Sequence, residues 1–256
     1  MLARLIPRRL GEGEEAELVD HLGELRHRLF VTLGAFVPAF ALAFAFHGRL
    51  VAALREPLPD GRRLVTLGVT EPFTVSVKVS VVAALALALP VLLWQAWAFV
   101  APAVDRATRR TIGALVALGT ALFAAGSLFA YVVVLPRALD FLTTFDTHLY
   151  DVQLRASSYF GFAAMGLLAS GIAFELPVLV LGLVRLGVVS SRQLRRNRRV
   201  GYVAMLTFAI VLPTVDPVSL ALEVTPLLAL YETSIWLAAL MERRAAAAPH
   251  ALAEGV

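Results

Sequence analysis

Long apolar runs, each ended by a short polar segment that usually carries arginine, repeat along the whole chain. The runs at 29–46, 73–100, 111–135 and 159–184 predict membrane-spanning helices, because about 20 apolar residues cross the ~30 Å hydrocarbon core of a bilayer. Two further spans are predicted at 200–212 and 218–241. The first holds 13 residues, or ~20 Å of helix, and the second is interrupted by Glu223, Pro226 and Glu232. The expectation is an all-α polytopic membrane protein with six transmembrane helices in a single domain over 15–242. Residues 1–14 are expected to be a flexible N-terminus and 243–256 a disordered Ala-rich tail. Leu18, Leu22 and Leu25 share a face in 15–28, which predicts a short amphipathic helix on the membrane surface. Pro38 and Pro90 fall inside spans, where a proline removes one backbone hydrogen bond.

Composition supports this picture. Hydrophobic residues make up 59 % of the chain, well above the ~45–50 % of soluble domains. There is no cysteine, which excludes disulfides and thiolate metal sites. The net charge is +4 and Lys78 is the only lysine, so the basic character lies in loop arginines. That distribution argues for orientation in a membrane and against nucleic-acid binding. With the N-terminus in the cytoplasm, sixteen arginines fall on the cytoplasmic side: 4, 8, 9, 26, 28, 106, 109, 110, 185, 192, 195, 196, 198, 199, 243 and 244. Only six, at 49, 55, 62, 63, 137 and 155, fall on the other. Basic residues favour the cytoplasmic side, so both termini are expected there, in an inner (plasma) membrane.

Catalytic motifs are missing. Lys78 sits in Ser-Val-Lys-Val, which is not a phosphate-binding loop, and neither His-Glu-x-x-His nor Gly-x-Ser-x-Gly occurs. No enzyme, cofactor or metal is expected. Isolated carboxylates remain as candidates. Glu24 precedes the first span, and Arg28 four residues on makes either a simple helix pair or the neighbour of an acid offered to a cationic ligand. Glu175, in Ala-Phe-Glu-Leu-Pro, lies ~24 Å along its helix from Tyr159. A free carboxylate there is costly and marks either a hydrogen bond to a neighbouring helix or a functional surface. Asp216, followed by Pro217, is placed to cap the last span. Thr70-Glu71-Pro72-Phe73 reads as a helix start. Glu232 lies near the cytoplasmic end of the last span and points away from Glu223, nine residues earlier.

The order of these motifs is similar to that of the TatC family, the signal-recognising subunit of the twin-arginine translocase. The resemblance rests on His21-Leu-Gly-Glu24-Leu-Arg26-His-Arg28-Leu29, Thr70-Glu71-Pro72-Phe73 with Lys78, Trp97 to Pro102, Phe174 to Pro177, and the Asp216 turn before Tyr231-Glu232. It implies a glove-like fold with a concave face, and a receptor for folded precursors whose signal peptides carry two consecutive arginines. It also implies assembly with the single-span proteins TatA and TatB, drive by the protonmotive force, contact with membrane lipids and homo-oligomers within a larger complex. Glu24, with Arg26 beside it, matches the glutamate that helps bind the arginine pair. Phe99 and Pro102 match positions leading into the first cytoplasmic loop, and Glu175 matches the membrane glutamate of the concave face; Asp216 and Glu232 complete the intramembrane polar and partner-binding set. Where the family has a glutamate before the basic pair, this chain has Thr108, and Asp105 is the candidate stand-in. The competing expectation is a proton- or cation-coupled transporter that uses Glu175.

Overall fold

The computed structural model describes the backbone of residues 12–59, 63–100, 106–149, 153–211 and 216–253, with side chains over 22–59, 63–100, 112–149, 153–210 and 216–243. The elements in chain order are α1 (Glu12–Ala45), α2 (His47–Arg55), β1 (Leu64–Val65), α3 (Glu71–Val100), α4 (Arg106–Phe129), a π-turn (Ala130–Val134), α5 (Leu135–Thr144), β2 (Leu154–Arg155), α6 (Ala156–Ala173), α7 (Leu176–Arg185), α8 (Ser191–Arg196), α9 (Arg198–Val211) and α10 (Pro217–Ala253). Among the described residues, five segments are long and apolar enough to cross a membrane: Leu22–Ala45, Glu71–Val100, Ile112–Thr144, Ala156–Arg185 and Pro217–Arg243. The sixth, α9, has 14 residues and reaches only ~21 Å.

Four features differ from the expectation. The amphipathic segment before the first span is not separate, because α1 runs unbroken from Glu12 to Ala45 through Pro38. The third span passes 135 and ends at Thr144, with Ala138, Leu139 and Thr143 buried. Its π-turn precedes Pro136, which has no N–H for the carbonyl of Val132 and whose ring crowds it; the chain widens there and Leu135 N–H donates instead to Ala130. The Ala-rich tail continues α10 to Ala253, as expected of the best helix-forming residue. Finally, a two-residue parallel pair, Leu64 with Leu154 and Val65 with Arg155, joins loops that looked unrelated in sequence. Residues 1–11 and 254–256 lie outside the described residues.

The helices form an open layer. α1 packs chiefly on α3, with a minor contact to α2; α3, α4 and α6 pack on one another, and α10 gathers α7, α8 and α9. Apolar burial gives little net drive between helices in lipid, so close packing and hydrogen bonds must hold them. The α4–α6 seam is built that way. Ser127 Oγ donates to the Leu167 carbonyl at 3.1 Å, and Ser170 Oγ donates to the Gly126 carbonyl at 3.1 Å. Gly126 and Gly171, beside these serines, leave no room for a Cβ.

At the end opposite the start of α1, two tyrosines complete α2. Tyr159 Oη donates to the Leu54 carbonyl at 2.6 Å, one of those a helix end leaves open, and Tyr131 Oη to the Ala53 carbonyl at 2.9 Å, which also accepts from Glu56 N–H. Glu71, buried at the first position of α3, ties this end together. Its Oε2 accepts from the backbone of Leu67 (2.9 Å) and Gly68 (3.3 Å), and its Oε1 from Arg155 Nε (3.1 Å) and Ser157 N (2.8 Å). Glu71→Gln removes the charge and one acceptor oxygen from this four-donor hub. The expected result is a lower unfolding temperature and faster protease cleavage in the loop before α3, read by differential scanning fluorimetry and limited proteolysis.

Candidate functional site

The end of the layer where α1 begins carries Glu24. Both Arg28 Nε (3.0 Å) and Arg28 Nη2 (2.5 Å) donate to a single oxygen, Glu24 Oε1. Arg28 is itself anchored on α3, through Nη1 to Gln95 Oε1 and Nη2 to the Ala98 carbonyl, each at 3.1 Å. The i,i+4 pair read from the sequence is therefore present, and it is extended into a crossbar between α1 and α3. The Glu24 side chain keeps 34 % of its surface exposed, and among the described residues its Oε2 receives no hydrogen bond. Glu24 is thus held by one oxygen and presented by the other. Arg26 is exposed, its guanidinium 5.6 Å from the centre of the Phe30 ring. Phe99 lies half-buried in the last turn of α3. Thr108 falls in the first turn of α4, where only the backbone is described; Pro102 and Asp105 lie outside the described residues.

Glu175 sits at a break. Pro177 cannot donate to the carbonyl of Ala173, so α6 ends there and α7 begins at Leu176, with Glu175 at the turn between them. Both carboxyl oxygens are buried, and among the described residues neither has a hydrogen-bond partner. They rest against Gly119 of α4: a Cβ built there would lie 2.6 Å from Glu175 Oε2 and 2.8 Å from Leu93 Cδ1. From Gly119 the same face of α4 continues at i+4 spacing to Phe123 and Ser127, which line a cavity of ≈ 270 Å³ between α2, α3, α4 and α6. The cavity wall is apolar apart from the hydroxyls of Ser127 and Tyr131. An unpartnered acid thus stands one helical turn from an apolar trough. An ionised carboxylate with no donor is costly in such surroundings, so the position suits a neutral acid or a donor delivered by another chain.

The structure does not bring Asp216 and Glu232 to these groups. Asp216 Oδ1 accepts from Ser219 N at 2.8 Å and caps α10, with Pro217 at its first position. Glu232 accepts from Tyr202 Oη (2.5 Å) and pairs with Arg198 (2.9 Å) on the α9–α10 side of the layer. Two participants escaped the sequence. Gln95 is the single side-chain amide in α3, and that isolation was its signal. Gly119 lies seven residues before Gly126, a spacing that places both on one face of α4.

Apolar spans around an open layer, with polar groups placed singly, define a multi-span helical membrane protein. The family described as Sec-independent protein translocase protein (TatC) matches residues 20–226, and the chain belongs to that family. It is 34 % identical to the Sec-independent protein translocase protein TatC of Desulforapulum autotrophicum over 228 residues, covering 88 % of this chain and 84 % of the relative. It is 37 % identical to the chloroplastic TATC of Arabidopsis thaliana over 243 residues, covering 93 % and 72 %. The crystal structure of the twin arginine translocase receptor TatC in DDM superposes with a TM-score of 0.75 at 35 % identity, covering 85 % of this chain and 99 % of that one. The glove-like, all-helical membrane fold expected from the motifs is the fold of this chain, and the family makes it a component of a protein translocase.

Proposed function

We propose that this chain is the receptor and core subunit of a twin-arginine translocase, binding the signal peptides of folded precursors at the cytoplasmic face. The observation that carries the proposal is Glu24: a part-exposed carboxylate at the start of the first span, oriented through one oxygen and, among the described residues, without a donor at the other. A guanidinium is the natural partner for such an oxygen, because it makes short charge-assisted bonds to carboxylates. The apolar stretch of the signal then has a complementary path in the trough beside Glu175. Glu175 suits a polar group brought by a signal or by a single-span partner of TatA or TatB type. The arginine bias supports a cytoplasmic location for the Glu24 end and for both termini. Energy from the protonmotive force fits a chain without a phosphate-binding loop.

The test is photo-crosslinking. A benzophenone residue at Leu22, exposed one turn before Arg26, is expected to capture a twin-arginine signal peptide in membranes, and the yield should collapse when the peptide's arginine pair becomes a lysine pair. Equal capture of both peptides would rule out recognition of the guanidinium groups at this end.

A further inference from the structure

The segment from α7 to α9 holds the largest unexplained concentration of charge. Between 185 and 199 there are six arginines and no acidic residue. Arg198 is accounted for by Glu232. Arg192, Arg195, Arg196 and Arg199 are exposed; among the described residues none of the four is within ion-pair distance of a carboxylate, and Arg195 is close enough to Glu242 to stabilise its charge. They recur at i, i+3, i+4 and i+7 across a junction, Asn197, that is one residue long.

This basic corner is held rigidly. α7 closes with Gly187 at φ 72°. Gly187 N–H donates to Val184 and Val188 N–H to Leu183, both at 3.0 Å, the paired bonds by which glycine ends a helix and turns the chain. α8 opens with a reciprocal cap between Ser190 and Gln193. Ser191 N donates to Glu242 Oε1 at 2.9 Å, and Ser191 Oγ donates to Glu242 Oε2, pinning α8 to α10. Leu194 packs inward against the clusters around Leu181 and Ile235. The arginines are thus the outward face of a clamped turn.

The helix that follows supplies the second half of the arrangement. From Arg199 the same face of α9 continues through Val203, Leu206 and Ile210, which are 63, 44 and 61 % exposed. A cationic head therefore stands at the top of an apolar strip. At 14 residues α9 spans ~21 Å, less than the ~30 Å hydrocarbon core, so its ends are drawn toward the phosphate layer of the lipid.

We propose that the α8–α9 corner binds an anionic phospholipid, with the phosphate held by Arg195, Arg196 and Arg199 and an acyl chain lying along Val203, Leu206 and Ile210. Arginine forks match phosphate oxygens two at a time, and each basic residue at an anionic membrane surface contributes about fivefold in affinity. The site is independent of Glu24 and of signal recognition.

The experiment titrates the purified full-length chain in detergent with phosphatidylglycerol or phosphatidylcholine, read by native mass spectrometry and by the unfolding midpoint. Phosphatidylglycerol is expected to remain bound and to raise the midpoint; phosphatidylcholine is expected to do neither. R195Q/R196Q/R199Q should weaken phosphatidylglycerol binding about 100-fold, whereas R49Q/R55Q/R137Q, an equal loss of charge at the other end, should leave it unchanged. Should the triple variant fail to fold, R199Q alone is expected to weaken binding about fivefold. Binding unaltered in either corner variant overturns the site. Competition by inorganic phosphate reduces it to a bare anion site and overturns the lipid assignment, as does an α9 strip covered by a co-purifying protein helix regardless of lipid.

Discussion

Glu24→Ala is expected to weaken binding of a twin-arginine signal peptide roughly 10- to 100-fold, the loss for one charge-assisted contact, while the protein remains folded. The second half of that statement follows from the crossbar. Removing Glu24 takes away one of three acceptors of Arg28, and Gln95 Oε1 and the Ala98 carbonyl stay in place. α1 therefore remains tied to α3, and Arg28, though it loses its ion-pair partner, keeps two neutral hydrogen-bond acceptors. What disappears is the open Oε2. Isothermal titration with peptide in detergent measures the affinity, and the unfolding midpoint of the same sample reports the fold. Unchanged affinity in a folded variant would remove Glu24 from recognition and leave it as one half of a helix ion pair.

Gly126→Ala should destabilise the membrane domain by about 1–3 kcal/mol, the usual range for forcing a methyl group into a filled interface. The built Cβ lies 2.7 Å from the Ser170 carbonyl oxygen, 2.7 Å from Phe174 Cγ and 2.9 Å from Phe174 Cβ. A backbone oxygen cannot swing aside as the tip of a side chain can. α4 and α6 must separate, and the reciprocal serine bonds across the seam lengthen with them. Because Phe174 immediately precedes Glu175, the same displacement shifts the acid against Gly119. The expected readout is a lower unfolding midpoint in detergent; an unchanged midpoint would mean that the seam is looser than its distances imply.

The spans were legible because hydropathy along the chain reports directly on lipid contact. The apolar runs, the short α9 and the cap at Asp216 depend on neighbours within a few residues. What was hidden depends on residues far apart in the chain. Glu71 read as a helix start, yet its partners Arg155 and Ser157 lie 84 and 86 residues away, across a parallel pairing too short to leave a periodic signal. Glu24 and Arg28 were visible as an i,i+4 pair, but the anchor on Gln95 is 67 residues distant. Glu175 stood out as an acid in an apolar run; nothing local to it names Gly119 as the surface it meets. The third span reads as ending at 135 because Asp140, Asp146, His148 and Asp151 make the stretch after it polar, whereas a single widened turn absorbs Pro136 and lets the helix go on to Thr144.

α1 has one long neighbour. Its span leaves most of its surface uncovered by the rest of the chain, and its grip is the strip shared with α3. A rod fastened along a single line can roll about that line but cannot be pulled away without losing the line itself. A peptide that engages Glu24 therefore acts on a lever whose chief axle is α3, and α3 also carries Leu93, which faces the same Gly119 of α4 as Glu175 does.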